Sequence, residues 1–198
     1  MIRALIVLSA LALVLAAGNT AQAQLFDSRD IMGGGPNFFG GRANYFGGGG
    51  AGPIPRETVS FPYDYAPGTV VINTAERRLY LVQGGGLALR YGIGVGRDGF
   101  RWSGVHHISA KKEWPGWTPP REMRRRRPDL PGHMEGGIEN PLGARALYLG
   151  STLYRIHGSN EPETIGQAVS SGCFRMTNED VVDLYNRVSI GTRVVVKN

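Results

Sequence analysis

The hydrophobic pattern of this 198-residue chain becomes regular after Gly68. In "GTVVINTAERRLYLVQGGG", Val, Ile, Leu and Tyr fill two short stretches, and "NTAE" separates them with turn-forming residues, which predicts a β-hairpin. A third run from Leu87, "LALRYGIGVG", alternates apolar with other positions. It carries Gly92, Gly94 and Gly96, where a bulge or a close approach of backbones is expected. After an irregular middle rich in Pro and Trp, "RALYLG" from Arg145, "TLYRIHG" from Thr152 and "TRVVVK" from Thr192 regain strand character, making at least six strands. Helical spacing is clear once: Thr177 followed by Asp180 gives a capping signal, and Val181, Leu184, Tyr185 and Val188 then share one face. A shorter turn is expected over residues 162–168. The pattern predicts a mainly β domain of sandwich or barrel type with one or two short helices.

The amino-terminal part has a different character. A basic start at Arg3, fourteen almost wholly apolar residues from Ala4 to Ala17 and "AQA" at Ala21–Ala23 read as a cleaved signal peptide over residues 1–23, which implies a periplasmic protein. The apolar run is shorter than the roughly 20 residues a membrane-spanning helix needs. Between Gly33 and Gly52 half the residues are glycine, interrupted by Phe38, Phe39, Tyr45 and Phe46. Ordering so much glycine costs too much backbone entropy to build a core, so residues 24–58 read as a flexible tether whose aromatics suit a partner. Pro53 and Pro55 close it, which leaves residues 59–198 as one domain of ordinary size.

Charge narrows the partners only a little. The chain has 22 Lys and Arg against 16 Asp and Glu, a net charge of +6, or +5 once Arg3 leaves with the signal peptide. The excess suits an acidic polymer or surface. The run Arg124–Arg127 reads as a solvated loop in preference to a binding patch, because crowded like charges stay in water. Zinc-finger spacing, a phosphate-binding glycine loop and aromatic RNA-binding motifs are all missing, so nucleic acid is not expected as a partner. His106 and His107 diverge in an extended strand with no carboxylate at metal spacing, and neither metal nor other cofactor is expected.

Cys173, in "SSGCFR", is the only cysteine. In an exported protein a single thiol is a small buried apolar side chain, an intermolecular partner or a reactive group. His157 ends the strand "TLYRI" sixteen residues earlier, and a histidine within reach would ionise the thiol for attack. Gly172 permits a sharp turn that aims backbone N–H groups at a developing oxyanion. Arg175 lies two residues past the thiol, on the same side of an extended segment, in range of a substrate carboxylate. The alternatives are a strand-end histidine, a plain turn and half of a salt bridge. Trp114, Trp117, Pro119 and Pro120 belong to an insert that reads either as a lid over a bound peptide or as a packed surface loop.

Together "HGSN" and "SSGCFRM" resemble the signature of the YkuD-type L,D-transpeptidases, and the resemblance covers about Gly68 to Val196. It implies a β-sandwich-like catalytic domain that transfers an acyl group on peptidoglycan without a cofactor. In that family Cys173 corresponds to the nucleophile, His157 to the general base, and the Gly158 carbonyl to the group that orients the imidazole. Ser170, Ser171, Gly172 and Arg175 correspond to the oxyanion and substrate-binding positions, with the N–H groups of Ser171, Gly172 and Cys173 as oxyanion donors. Ser171 departs from many members, which carry a second histidine there. The implied partners are peptidoglycan stem peptides, with a stem amine, an outer-membrane protein or a lipoprotein as acceptor, and the implied state is a monomer. A carboxypeptidase that passes the same thioester to water, and a wall-binding module with an inert thiol, are the competing readings.

Overall fold

The structure, a computed structural model, describes residues 54–198. The expected signal peptide and the glycine-rich stretch through residue 53 lie outside the described residues. Among the described residues eleven strands and two helices run in the order β1 Glu57–Ser60, β2 Val70–Asn73, β3 Arg78–Gly84, β4 Leu87–Gly92, β5 Val95–Gly96, β6 Gly104–Glu113, α1 Arg121–Arg126, β7 Arg145–Leu149, β8 Arg155–His157, β9 Ala168–Ser170, β10 Phe174–Arg175, α2 Asn178–Arg187 and β11 Arg193–Lys197. This is a mainly β fold, as the alternation predicts.

Nine strands form one sheet in the order β1-β4-β3-β2-β11-β6-β7-β8-β10, while β5 and β9 pair separately. The hairpin forms as expected, with Asn73 opposite Arg78 and the Asn73 Oδ1 accepting from the Glu76 N–H at 3.1 Å. Strand β6 pairs with β11 through its first residues and with β7 through its last, with an irregularity between Ile108 and Ala110. A register break of this kind bends a strand, so β6 serves as the corner between two halves of the sheet. The main core joins Val70, Ile72, Leu79 and Tyr91 from one half to Leu147, Leu149, Ile156 and Phe174 from the other. Val181 and Leu184 of α2 complete it. Each of these side chains is at most 1 % exposed, so their apolar area is removed from water almost entirely.

Three local expectations change, and the insert takes one of its two expected forms. The first ladder begins at Glu57, inside the expected tether, because Glu57–Ser60 pairs with Leu87–Arg90. Only Pro162–Thr164 of the expected turn coils, as a single 3-10 turn, and Ala168 already belongs to a strand. The arginine run is the end of α1, not a loop, although Arg124 and Arg125 are exposed as a solvated run should be. The tryptophan-containing insert packs on itself: Trp117, Met123 and Leu142 are buried together, with Leu130 and Met134 against them.

Candidate active site

The site forms where β8 and β10 run side by side. Their pairing is parallel, with Phe174 opposite Ile156 and Arg175 opposite His157, so one step back the register sets Cys173 against Arg155. Side chains alternate along a strand, and Ile156 and Phe174 both point into the core. Arg155, His157, Cys173 and Arg175 therefore share the opposite face.

His157 is 5 % exposed, and its Nδ1 lies 2.6 Å from the Gly158 carbonyl oxygen. A carbonyl can only accept, so Nδ1 carries the proton and Nε2 is left as the base. Burial first, then the positive charge of Arg175, pushes the His157 pKa down to about 3, against the stabilising carbonyl. The imidazole is neutral at neutral pH. Gly158 is required because a Cβ there would collide with Asn178 Oδ1. That Oδ1 accepts from the Ala144 N–H at 2.7 Å, and the Asn178 Nδ2 donates to the Ser159 carbonyl at 3.0 Å. The first residue of α2 thus ties the backbone after the His-Gly turn to the segment that leads into β7.

Cys173 is free and half-buried, and its Sγ lies 3.9 Å from the Leu153 carbonyl. Burial pushes its thiol up, while Arg155, through charge and through hydrogen bonds from its backbone and side chain, and Arg175 pull it back. The turn before it is built tightly. Gly172 has φ of 109°, which favours glycine, and a Cβ there would meet the Tyr154 ring at 2.5 Å. Trp102 stacks on Tyr154 with centroids 4.6 Å apart, and its indole N–H donates to the Gly172 carbonyl at 2.8 Å. Gly94 and Gly96 bear out the expected close approach: Gly94 exchanges backbone hydrogen bonds with Arg175, and a Cβ on Gly96 would lie 3.3 Å from Gly172 Cα.

Three of the expected site residues are engaged in contacts within the fold. Arg175 is 5 % exposed and bonds Glu161 Oε2 at 3.1 Å, so its charge is committed inside the fold, the salt-bridge alternative. Burial pushes the Glu161 carboxyl up to about 7 against the lowering pull of Arg175. The Gly172 N–H donates to the Ser170 Oγ at 3.1 Å, which removes it from the oxyanion donors. Ser170 is itself buried scaffold, donating to the Cys173 carbonyl at 2.5 Å. The Ser171 and Cys173 amides carry no partner among the described residues, and Ser171 Oγ is buried without one. Among the described residues no group of three or more His, Cys, Asp and Glu is placed to hold a metal ion.

The sequence reading missed Trp102, Tyr154, Arg155, Glu161 and Asn178. Only Arg155 had a local signal, since it lies two residues before His157 in a strand.

The chain is similar to known proteins. The profile of the YkuD family, described as an L,D-transpeptidase catalytic domain, matches residues 67–196. The chain belongs to the YkuD family of L,D-transpeptidase catalytic domains. It is 42% identical over 134 residues to the probable L,D-transpeptidase YbiS of Escherichia coli K12, covering 63% of this chain and 43% of that protein. The probable L,D-transpeptidase ErfK/SrfK of the same strain is 38% identical over 136 residues, covering 64% and 43%. The chain thus spans less than half the length of these curated relatives. A solved Brucella melitensis structure, described as a probable carnitine operon oxidoreductase, is 50% identical, covers 73% of this chain and 94% of its own, and superposes with a TM-score of 0.50. The avibactam carbamoyl enzyme of Ldtfm, 18% identical with a TM-score of 0.53 and coverage of 68% and 50%, shares the YkuD fold.

Proposed function

We propose that this chain is a cysteine-dependent L,D-transpeptidase that moves the acyl end of a tetrapeptide stem of peptidoglycan onto an amine, in the periplasm. The observation that carries this reading is the β8–β10 pairing, which puts the only thiol on the same face as a histidine whose tautomer is fixed by Gly158. In the reaction, Nε2 of His157 takes the Sγ proton and the thiolate attacks the carbonyl of the third stem residue. The Ser171 and Cys173 amides receive the oxyanion. Collapse breaks the amide, the departing D-alanine amine takes the proton from Nε2, and a thioester remains on Cys173. An acceptor amine then attacks the thioester, His157 removes its proton, and the thiol is regenerated. One amide is exchanged for another, so no energy source is needed.

Both titrating groups rest neutral, so proton transfer from Sγ to Nε2 belongs to the attack itself and not to a preformed ion pair. The test is to incubate the domain with tetrapeptide muropeptides and, separately, with a carbapenem, using Cys173→Ala as control. The expected result is cross-linked dimer with loss of D-alanine, and a mass adduct on the thiol. Neither product from wild type overturns the reading, and monomeric tripeptide alone replaces it with a carboxypeptidase.

A further inference from the structure

With Arg175 committed to Glu161, Arg155 is the other cation that the β8–β10 register places on the active-site face among the described residues. No carboxylate pairs with it among the described residues, and its Nε is buried without a hydrogen-bond partner. Its guanidinium carbon lies over the Tyr148 ring, 5.2 Å from the centroid, a cation–π contact on one side of the fork. A buried guanidinium N–H with no acceptor carries a desolvation cost that an incoming acceptor would relieve. By register the residue stands against the Cys173 backbone, and its side chain reaches the thiol.

We infer that Arg155 is the carboxylate-binding position of this active site, holding the terminal carboxylate of the residue that the donor peptide loses. The inference rests on the acyl-transfer reading given above and names which end of the donor is recognised. When the scissile carbonyl carbon sits at Sγ, the leaving residue contributes its nitrogen, its Cα and then its carboxylate, a few bonds away. A planar guanidinium that reaches the thiol suits that carboxylate's two-oxygen geometry. An amide or a further residue at that end would place a neutral group on the fork. The site would thereby accept stems in which the cleaved bond is the last one, and reject those extended by another residue.

Other candidates carry less. The groove between Phe61, Tyr63, Tyr80 and Arg90 has aromatic and charged walls, but nothing in the structure says what fills it. Ser171 Oγ is a single hydroxyl and does not define a ligand class.

The test measures binding by calorimetry to Cys173→Ala, which stops turnover, with the D-alanine-terminated tetrapeptide and its C-terminal amide as probes. The acid is expected to bind roughly ten- to hundredfold tighter than the amide. Arg155→Gln in the same background should bind the acid as weakly as the amide, and Arg155→Lys should recover part of the preference. Equal binding of acid and amide by Cys173→Ala, no detectable binding of either, or a preference kept by Arg155→Gln overturns the inference. The acid-amide comparison needs no change at Arg155, so misfolding of that variant does not blur it. Wild-type turnover separates the two readings: no transfer alongside a clear acid preference sinks the transpeptidase, whereas transfer from acid and amide at equal rates sinks the role of Arg155.

Discussion

At the level of residues the site is defined by what burial does to two titrating groups. A histidine held down to about 3 is neutral throughout the physiological range, and a thiol pushed up by burial holds its proton at neutral pH. The pair therefore rests as imidazole and thiol, unlike an imidazolium–thiolate pair, in which thiolate persists well below neutrality. With the thiol raised, the thiolate fraction rises with pH across the neutral range and no ion-pair plateau precedes it. Alkylation of Cys173 by iodoacetamide should accelerate about tenfold per pH unit between pH 5 and 8. A rate that levels off below pH 6 would show a resting ion pair and contradict the burial argument. The sequence singled out His157, Gly158 and Cys173, which the structure brings to adjacent strands, because strand-end and turn residues have local signatures. It left Arg175 between two readings, because whether an arginine faces a substrate or a buried glutamate depends on a partner fourteen residues away that no periodicity marks.

Among the elements, α2 does more than close the core. Thr177 caps it, with its Oγ1 accepting from the Asp180 N–H at 3.2 Å, and that cap was readable as a threonine three residues before an aspartate. Asn178, the next residue, was not readable, because its work is tertiary: one amide group satisfies Ala144 N–H and the Ser159 carbonyl and fills the space beside two glycines, Gly143 and Gly158. The two positions should respond differently to alanine. Thr177→Ala removes one cap bond and should cost about 1 kcal/mol. Asn178→Ala strands the Ala144 N–H and the Ser159 carbonyl beside the His-Gly turn and should cost about 2–4 kcal/mol, with a larger fall in acyl-transfer rate. Urea unfolding of both variants measures the order, and a Thr177→Ala cost equal to or above that of Asn178→Ala would remove Asn178 from the support of the site. The same distinction explains β10. Two residues with a parallel partner give no alternating run, so the strand that carries the site was invisible while the longer β2, β3 and β11 were plain.

At the scale of the molecule, the insert between β6 and β7 is a second folding unit built on the main sheet. Its ends are held by Glu113 opposite Arg145, which also form an ion pair at 3.1 Å. Inside it, Asn140 is 1 % exposed and donates through Nδ2 to the carbonyls of Pro115, Met134 and Glu135, while Asn160 from the loop after His157 donates to the Glu139 carbonyl. The choice between lid and packed loop thus resolves toward packing, around a core of only three buried apolar residues. So small a cluster has little stability to lose, and removing a buried tryptophan costs about 3–5 kcal/mol. Trp117→Ala should therefore open the insert locally while the nine-stranded sheet, whose core shares no residue with it, stays folded. Trypsin provides the measurement, since Arg124 and Arg125 are exposed on α1. Cleavage at residues 121–127 should become at least about tenfold faster in the variant, with the two resulting halves remaining associated and the main thermal transition nearly unmoved. If the variant instead lowers the main transition in step with cleavage, the insert and the sheet unfold as one unit, and the site then draws its rigidity from both.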